Sequence, residues 1–359
     1  MLARRVSGSG QKHEEPPMPD LPETMQALVL TAPRAALELR EVSVPKPGPG
    51  EVLVKLAASP INPSDLHFLD GEYGLAWPYP LIPGLEGSGQ VVAAGPGIMG
   101  RYVLDKPVSC TADTQGCWAE YMVTQAGLCL PLPADLPLGL AAMGVVNPLT
   151  AVAFLQIAKQ DGHRALISTA AGGALGAMIR RLGEAQGVDV INVVRGAQQV
   201  ERLKAEGATY VLDQTDADFD AELAAACKTT GCRLALDAIG GVMTGRLVEA
   251  LRPRGEVLVY GALEGAASQI NPGTLLFREI VVRGFWVSKW IARKSLPQKM
   301  LIMRQVVKAL QDGAAQSHVA HIIDLAEAAT APAAYAADMS AGKTLISTGA
   351  FPLGVEPSQ

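Results

Sequence analysis

The stretch Ala165–Arg195, ALISTAAGGALGAMIRRLGEAQGVDVINVVR, decides how the rest of the chain reads. It opens with an apolar run of strand length, Ala165 to Ser168, and passes through Gly172, Gly173 and Gly176. Leu175, Ile179 and Leu182 then recur at helical spacing, and Val188 to Val194 reads as a second buried strand. Small residues here let the backbone approach a pyrophosphate and let helix and strand pack closely. The first helical turn, Ala174 and Leu175 included, supplies aligned N–H donors. Ala171-x-Gly173-x-x-Gly176 is thus the dinucleotide-binding fingerprint with alanine in its first place. Its setting between strand and helix is what gives it weight.

The residue closing the second strand selects the nucleotide. An NAD site usually carries Asp or Glu there for the ribose 2′-hydroxyl, whereas Arg195 presents a planar cation suited to a 2′-phosphate. The reading is NADPH, and a solvated surface arginine is the alternative.

Working outward, 359 residues is long for one domain, so two are expected. The chain is 49% hydrophobic and 18% charged with a net charge of −5, which argues against nucleic acid or an anionic membrane as its main partner. No apolar run reaches membrane-spanning length. The opening MLARRVSGSGQKHEEPPMPDLPE lacks the apolar core of a secretory signal and reads as a loose arm over residues 1–24. Glu14 and Glu15 weaken a mitochondrial presequence without closing that option, so a cytoplasmic location is expected. Five cysteines, an odd count without paired spacing, fit reduced thiols packed as small core residues.

Before the fingerprint the pattern is mostly β. Met25–Thr31, Leu37–Val42, Glu51–Ser59, Gly89–Ala94, Val108–Thr111 and Trp118–Val123 read as strands joined by Pro- and Gly-rich turns. From Pro148 strands and helices alternate, with strands at Ala165–Ser168, Val190–Val194, Tyr210–Leu212, Leu234–Ala238, Val257–Tyr260 and Ile280–Gly284. Helices fall between them, as at Gln198–Glu206 and Gly245–Leu251, which implies right-handed βαβ units in a parallel sheet. An amphipathic helix over Lys299–Leu310 and a short strand over Thr344–Ser347 follow.

These pieces resemble the medium-chain dehydrogenase/reductase superfamily over roughly Met25 to Ala350. The resemblance implies an α/β chain: a GroES-like, mostly-β catalytic domain (25–147, completed by 289–350), a Rossmann doubly wound parallel-sheet domain (148–288), and a tail (351–359). Zinc members carry a catalytic Cys ahead of an Asp, and a Gly-His-Glu-Gly motif. Here the corresponding segments are Asn62-Pro63-Ser64-Asp65 and Gly84-Leu85-Glu86-Gly87, with both soft ligands missing. His67 has no Cys or His partner at useful spacing, so no metal is expected. Asp65 and Glu86 could form a general-acid pair but read better as structural groups, hydrogen-bonded within the β domain.

Within the zinc-free branch, four stretches resemble the mitochondrial-type 2-enoyl thioester reductases. They are Pro60–Asp65 with Gly71-Glu72-Tyr73-Gly74, Asn147-Pro148-Leu149-Thr150-Ala151, Ile191–Arg195, and Arg283-Gly284-Phe285-Trp286-Val287-Ser288-Lys289-Trp290. The last is the most specific, because quinone oxidoreductases usually lack this paired-tryptophan run. The cofactor loop departs from those reductases, and Gly95–Trp118 is divergent and compact.

The resemblance implies reduction of an activated C=C bond. A hydride must meet the β-carbon, the enolate oxygen must be stabilised, and a proton must reach the α-carbon. Tyr73 matches the catalytic tyrosine, whose phenol can donate to the enolate oxygen or relay a proton. Asn147 would contact the nicotinamide end or place the substrate carbonyl, and could equally cap a helix beginning near Leu149. Tyr260-Gly261-Ala262-Leu263 and Phe285-Trp286-Val287 end parallel strands, where ligands bind; Trp286 is read as catalytic too, with core packing as its alternative. Lys343 would reach the cofactor from the returning segment.

The leading expectation is an NADPH-dependent trans-2-enoyl-CoA or acyl-carrier-protein reductase. An NADPH:quinone oxidoreductase or general enone reductase is the alternative, and a non-catalytic NADPH-binding redox sensor a third. Partners expected are a small-molecule substrate (enoyl thioester, enone or quinone), acyl carrier protein and a second copy of the chain, paired through the sheet edge around Val281–Trp286. Nothing marks a Ser or Cys nucleophile beside a base.

Overall fold

The computed structural model describes residues 21–75 and 77–357. The expected N-terminal arm lies outside these residues up to position 20, and its last part is not loose. Leu21 packs on the Met25–Leu53 cluster, and Thr24 already opens the first strand.

The β-rich portion comprises Thr24–Val29 (β1), Glu38–Ser43 (β2), Glu51–Pro60 (β3), a helix Pro63–Leu69 (α1), Glu86–Ala94 (β4), a helix Ile98–Val103 (α2), Pro107–Thr111 (β5), Tyr121–Gln125 (β6) and Cys129–Pro131 (β7). β1 and β2 pair antiparallel. β3 is buried along nearly its whole length, because it pairs with β4 and β6 and later with a strand from the far end of the chain. That far segment is Val319–Asp324 (β14), the helix Ala331–Ala337 (α12) and Lys343–Ser347 (β15). The resulting sheet runs β14-β15-β3-β4-β5-β7, with Leu345 opposite Pro60.

Leu138–Ala141 (α3) and Val146–Gln160 (α4) lead into the second portion. There Ala165–Ser168 (β8), Ala174–Ala185 (α5), Asp189–Val194 (β9), Ala197–Ala205 (α6), Tyr210–Asp213 (β10), Phe219–Thr230 (α7), Leu234–Asp237 (β11), Gly241–Ala250 (α8), Glu256–Val259 (β12), Pro272–Arg278 (α9) and Val281–Gly284 (β13) alternate. Their order, β10-β9-β8-β11-β12-β13 with every pair parallel, is that of a doubly wound nucleotide-binding sheet.

Side chains on a strand alternate between faces, and this sheet uses both. Leu166, Leu234, Leu236 and Leu258 pack with Phe154 of α4, Met178 of α5 and Val306 of Leu296–Gln311 (α11, after the short Val287–Ala292 helix, α10). Ile167, Ala235 and Val257 pack with Leu223 of α7 and Leu247 of α8. Two apolar faces need two helical layers, which is why these strands read as continuous apolar runs.

Two boundary expectations shift. The return to the first sheet does not begin at 289: Ile302, Val306 and Leu310 of α11 pack against α4, and only β14 and β15 re-enter that sheet. The tail is packed rather than free, with Leu353 and Val355 against Ala142 and Met143 and with Gly139 N donating to the Leu353 carbonyl (2.8 Å). Strands β7 and β14 and helix α1 were not anticipated from sequence. All five cysteines are buried free thiols. No helix among the described residues is long and apolar enough to cross a membrane.

Candidate active site

A cleft of about 1580 Å³ lies between the two sheets, walled on one side by the carboxyl ends of the parallel strands. The fingerprint Gly172–Gly176, Arg195, the Tyr260–Leu263 and Phe285–Val287 strand ends, Asn147, Tyr73 and Lys343 all line it. Residues up to 281 positions apart in sequence meet there.

The nucleotide end is built by close approach. A Cβ on Gly176 would stand 2.4 Å from the Ala171 carbonyl oxygen, so only glycine lets α5 begin this near β8. Ala170 holds the turn before it with φ of 49°, a left-handed conformation uncommon for alanine. The first turn of α5, whose N–H groups lack intrahelical acceptors, borders the cleft. Such a cradle fits a dinucleotide pyrophosphate.

Arg195 is exposed at the end of β9 and makes no ion pair among the described residues. Asp213 fixes the turn behind it, accepting from Gly196 N (2.9 Å) and Thr215 N (3.0 Å), bonds that hold its carboxyl below the usual range. Further basic groups line the same end. Arg202 Nη2 donates to the Gly172 carbonyl (2.6 Å) and to Gln199 Oε1 (2.7 Å), and Arg180 pairs with Glu206.

At the opposite end Tyr73 meets Trp286 edge to face, ring centroids 5.8 Å apart. Phe68 lies on the other side of the phenol ring (6.4 Å). Burial pushes the Tyr73 pKa up, and the Trp286 indole opposes that rise, although its buried Nε1 makes no hydrogen bond of normal geometry. Trp286 also closes on the loop backbone, since a Cβ on Gly74 would stand 3.2 Å from its ring. Phe285 packs onto the apolar core beside Phe154 (4.7 Å) while still lining the cleft next to Trp286.

Asn147 is not the cap of α4. The helix starts at Val146, Val145 holds the cap position, and Asn147 is the second helical residue, half-buried on the cleft wall. The cap comes instead from β4, where Glu86 Oε2 accepts from Val145 N (3.1 Å) and Val146 N (2.8 Å). Glu86 Oε1 accepts from Asn62 Nδ2 (3.0 Å), and Asn62 Oδ1 accepts from Lys343 Nζ. Asp65 Oδ2 accepts from Asn62 N (2.7 Å) and its Oδ1 from Leu85 N (3.0 Å).

Lys343 lines the cleft yet is almost wholly buried, with its ammonium engaged by Asn62. Burial lowers its pKa, against the pull of Glu86 and Asp65. Burial also raises both carboxyls, with Asp65 pushed to about 7. Among the described residues no three His, Cys, Asp or Glu side chains are grouped to hold a metal.

Sequence reasoning did not single out Arg180, Arg202 or Asn62. The two arginines lie on helices that flank the glycine loop, a position a wheel projection of α5 and α6 could have marked. Asn62 was visible only as part of a quoted motif; its side-chain role depends on a partner 281 positions away.

Fold and cleft together define an oxidoreductase of the two-domain kind that uses a nicotinamide cofactor. Residues 48–134 match the alcohol dehydrogenase GroES-like domain and residues 174–305 the zinc-binding dehydrogenase family. The mitochondrial enoyl-[acyl-carrier-protein] reductase of Rattus norvegicus is 31% identical over 72% of this chain and 70% of its own length. That of Caenorhabditis elegans is 33% identical over 72% and 76%. A solved structure from Mesorhizobium loti, provisionally described as an NADPH:quinone reductase, superposes with a TM-score of 0.85 at 32% identity, covering 91% of this chain and 99% of that one. The chain belongs to the medium-chain dehydrogenase/reductase superfamily.

The buried charges make stability depend on pH in a set direction. Between its ordinary 3.8 and about 7, Asp65 keeps a proton when folded that the unfolded chain has released, so the carboxyl withdraws stability as pH rises through that window. Lys343 offsets this by neutralising the carboxylates. The stability lost in Lys343→Met should therefore be larger at about pH 8 than at about pH 5, read by thermal unfolding. An equal loss at both would mean the ammonium does not compensate the carboxylates.

Proposed function

We propose that the chain is an NADPH-dependent reductase of activated C=C bonds, acting on trans-2-enoyl thioesters of coenzyme A or acyl carrier protein. The observation that carries this reading is the Tyr73 phenol on the cleft wall facing the strand ends, packed against Trp286. The bound nicotinamide would supply a hydride to the β-carbon. Tyr73 donates a hydrogen bond to the developing enolate oxygen or passes a proton toward the α-carbon, and its raised pKa keeps the phenol protonated for either task. Asn147 orients the carboxamide or the substrate carbonyl. Trp286 shapes the wall and excludes water. Gly172 to Gly176 cradle the pyrophosphate, and Arg195 binds the 2′-phosphate. The Tyr260–Leu263 and Phe285–Val287 backbone groups hold the nicotinamide carboxamide. No metal takes part in this reading, since Asn62 and Leu85 offer neither thiolate nor imidazole. The cytoplasm is its proposed location.

Quinone reduction is the second reading, favoured by the likeness to the Mesorhizobium loti structure. The two readings separate on NADPH oxidation with a short trans-2-enoyl-CoA and, in parallel, a benzoquinone. Thioester turnover should fall at least about tenfold in Tyr73→Phe, equivalent to about 1.4 kcal/mol of transition-state stabilisation. Quinone turnover alone, unchanged by the substitution, would discard the thioester reading.

Arg195→Ala should weaken NADPH binding by about tenfold or more while leaving NADH unchanged, as loss of a charged hydrogen bond to phosphate requires. Equal weakening of both nucleotides would remove Arg195 from the 2′-phosphate site.

The dimer expected from sequence is part of the same proposal. Among the described residues β13 has one strand neighbour, β12, and Val281 on it and Phe277 before it are exposed (52% and 84%). Sedimentation at micromolar concentration should give the mass of two chains; the mass of one would exclude pairing through this edge.

A further inference from the structure

Asp65, Glu86 and Lys343 are almost wholly buried, and the chemistry assigned to Tyr73 uses none of them. Burying ionisable groups is costly unless each is paired, and hydrophobic replacements of similar size are often no less stable. Their arrangement has a direction that stability alone does not ask for.

Lysine can only donate, so the Asn62 oxygen must turn toward Lys343 Nζ. That fixes the flip of the amide and leaves Nδ2 to donate to Glu86 Oε1 (3.0 Å). With one oxygen held, the other is aimed at the unsatisfied N–H groups of Val145 and Val146 at the start of α4. Asp65 closes the assembly from behind by holding the backbone of Asn62 and of Leu85, the neighbour of Glu86. The path runs from β15 through the β3–α1 junction and β4 into the first turn of α4, whose next residue is Asn147. Donors and acceptors alternate along it, ammonium to amide oxygen, amide N–H to carboxylate, carboxylate to helix N–H, so each member orients the next.

We propose that Lys343, Asn62 and Glu86 form a positioning relay that fixes the first turn of α4 and so holds the Asn147 amide at the nicotinamide end of the cleft. The relay rests on the reading that Asn147 meets that end. None of the three touches the reacting atoms in this role; they act through Asn147. Without Lys343 the Asn62 oxygen loses its donor, the amide is held at one end only, and the first turn of α4 is held by one fewer constraint.

Binding distinguishes this from a general structural role, using the full chain and two ligands: NADPH, and 2′-phospho-ADP-ribose, which lacks the nicotinamide. Asn147→Ala and Lys343→Met should each weaken NADPH by about tenfold, about 1.4 kcal/mol, while changing the fragment by less than about twofold. Because both act on one amide, the double variant should bind NADPH no more weakly than Asn147→Ala alone, to within about twofold. Glu86→Gln, which keeps the volume but cannot accept at both oxygens, should behave as Lys343→Met does and serves if that variant fails to fold. Equal weakening of both ligands by Lys343→Met and Glu86→Gln would overturn the relay, as would additivity with Asn147→Ala. Were Asn147→Ala itself to affect the two ligands alike, the assignment of Asn147 would fall and the relay with it. If Asn147→Ala discriminates and the buried variants do not, only the relay fails.

Discussion

The absence of a side chain at Gly176 is the constraint on which the nucleotide half of the molecule depends. With any larger residue there, α5 would be pushed off the β8 turn by atoms that sit only 2.4–2.6 Å from the missing Cβ. The helix start would move out of the strand plane, and the N–H groups bordering the cleft would lose their common aim. The parallel sheet, its two helical covers and the cleft at its carboxyl ends follow from packing that many molecules could achieve. The distance between one helix and one strand is what turns this sheet into a nucleotide site.

On the other wall the decisive physics is electrostatic. Glu86 reaches from one sheet to cap the first helix of the other half, so the two halves are joined by a carboxylate as well as by apolar contact. Such a bond gains strength from being dry, and dryness raises the carboxyl pKa, a rise that a nearby cation opposes. Lys343, arriving from the end of the chain, supplies that cation. A chain that returns to its first domain is therefore more than topology here: it delivers the counter-charge for a contact made by residues 86 and 145–146.

The fold was legible wherever a pattern is local. Short continuous apolar runs, as strands buried on both faces require, located β8 at its observed bounds, with β10, β11 and β12 within a residue or so of theirs. The strand β14 escaped because half its residues are only partly buried and its pairing partner β15 lies beyond α12, so no local alternation marks it. At the site, Arg195 and the glycines were legible because strand, loop and helix are contiguous. Tyr73 and Trp286 were singled out by resemblance, and nothing in their surroundings in sequence says that they touch. For Asn147, capping was the local alternative suggested by its residue type, and a carboxylate from another strand takes that role instead. Lys343 was placed at the cofactor by resemblance, and only tertiary structure shows that its ammonium is buried against Asn62.

The open side of β13 bears on how this chain behaves at high concentration. One flank of the strand is bonded to β12; the other presents backbone donors and acceptors beside exposed Val281. Such an edge accepts any extended segment that meets it, native or not. Arg283, paired with Glu256, places charge on the strand and makes unselective pairing less favourable, but Val281 and Phe277 pull the other way. Capture of such an edge by another chain is second order in protein, so the yield on refolding becomes a matter of concentration and not of stability alone.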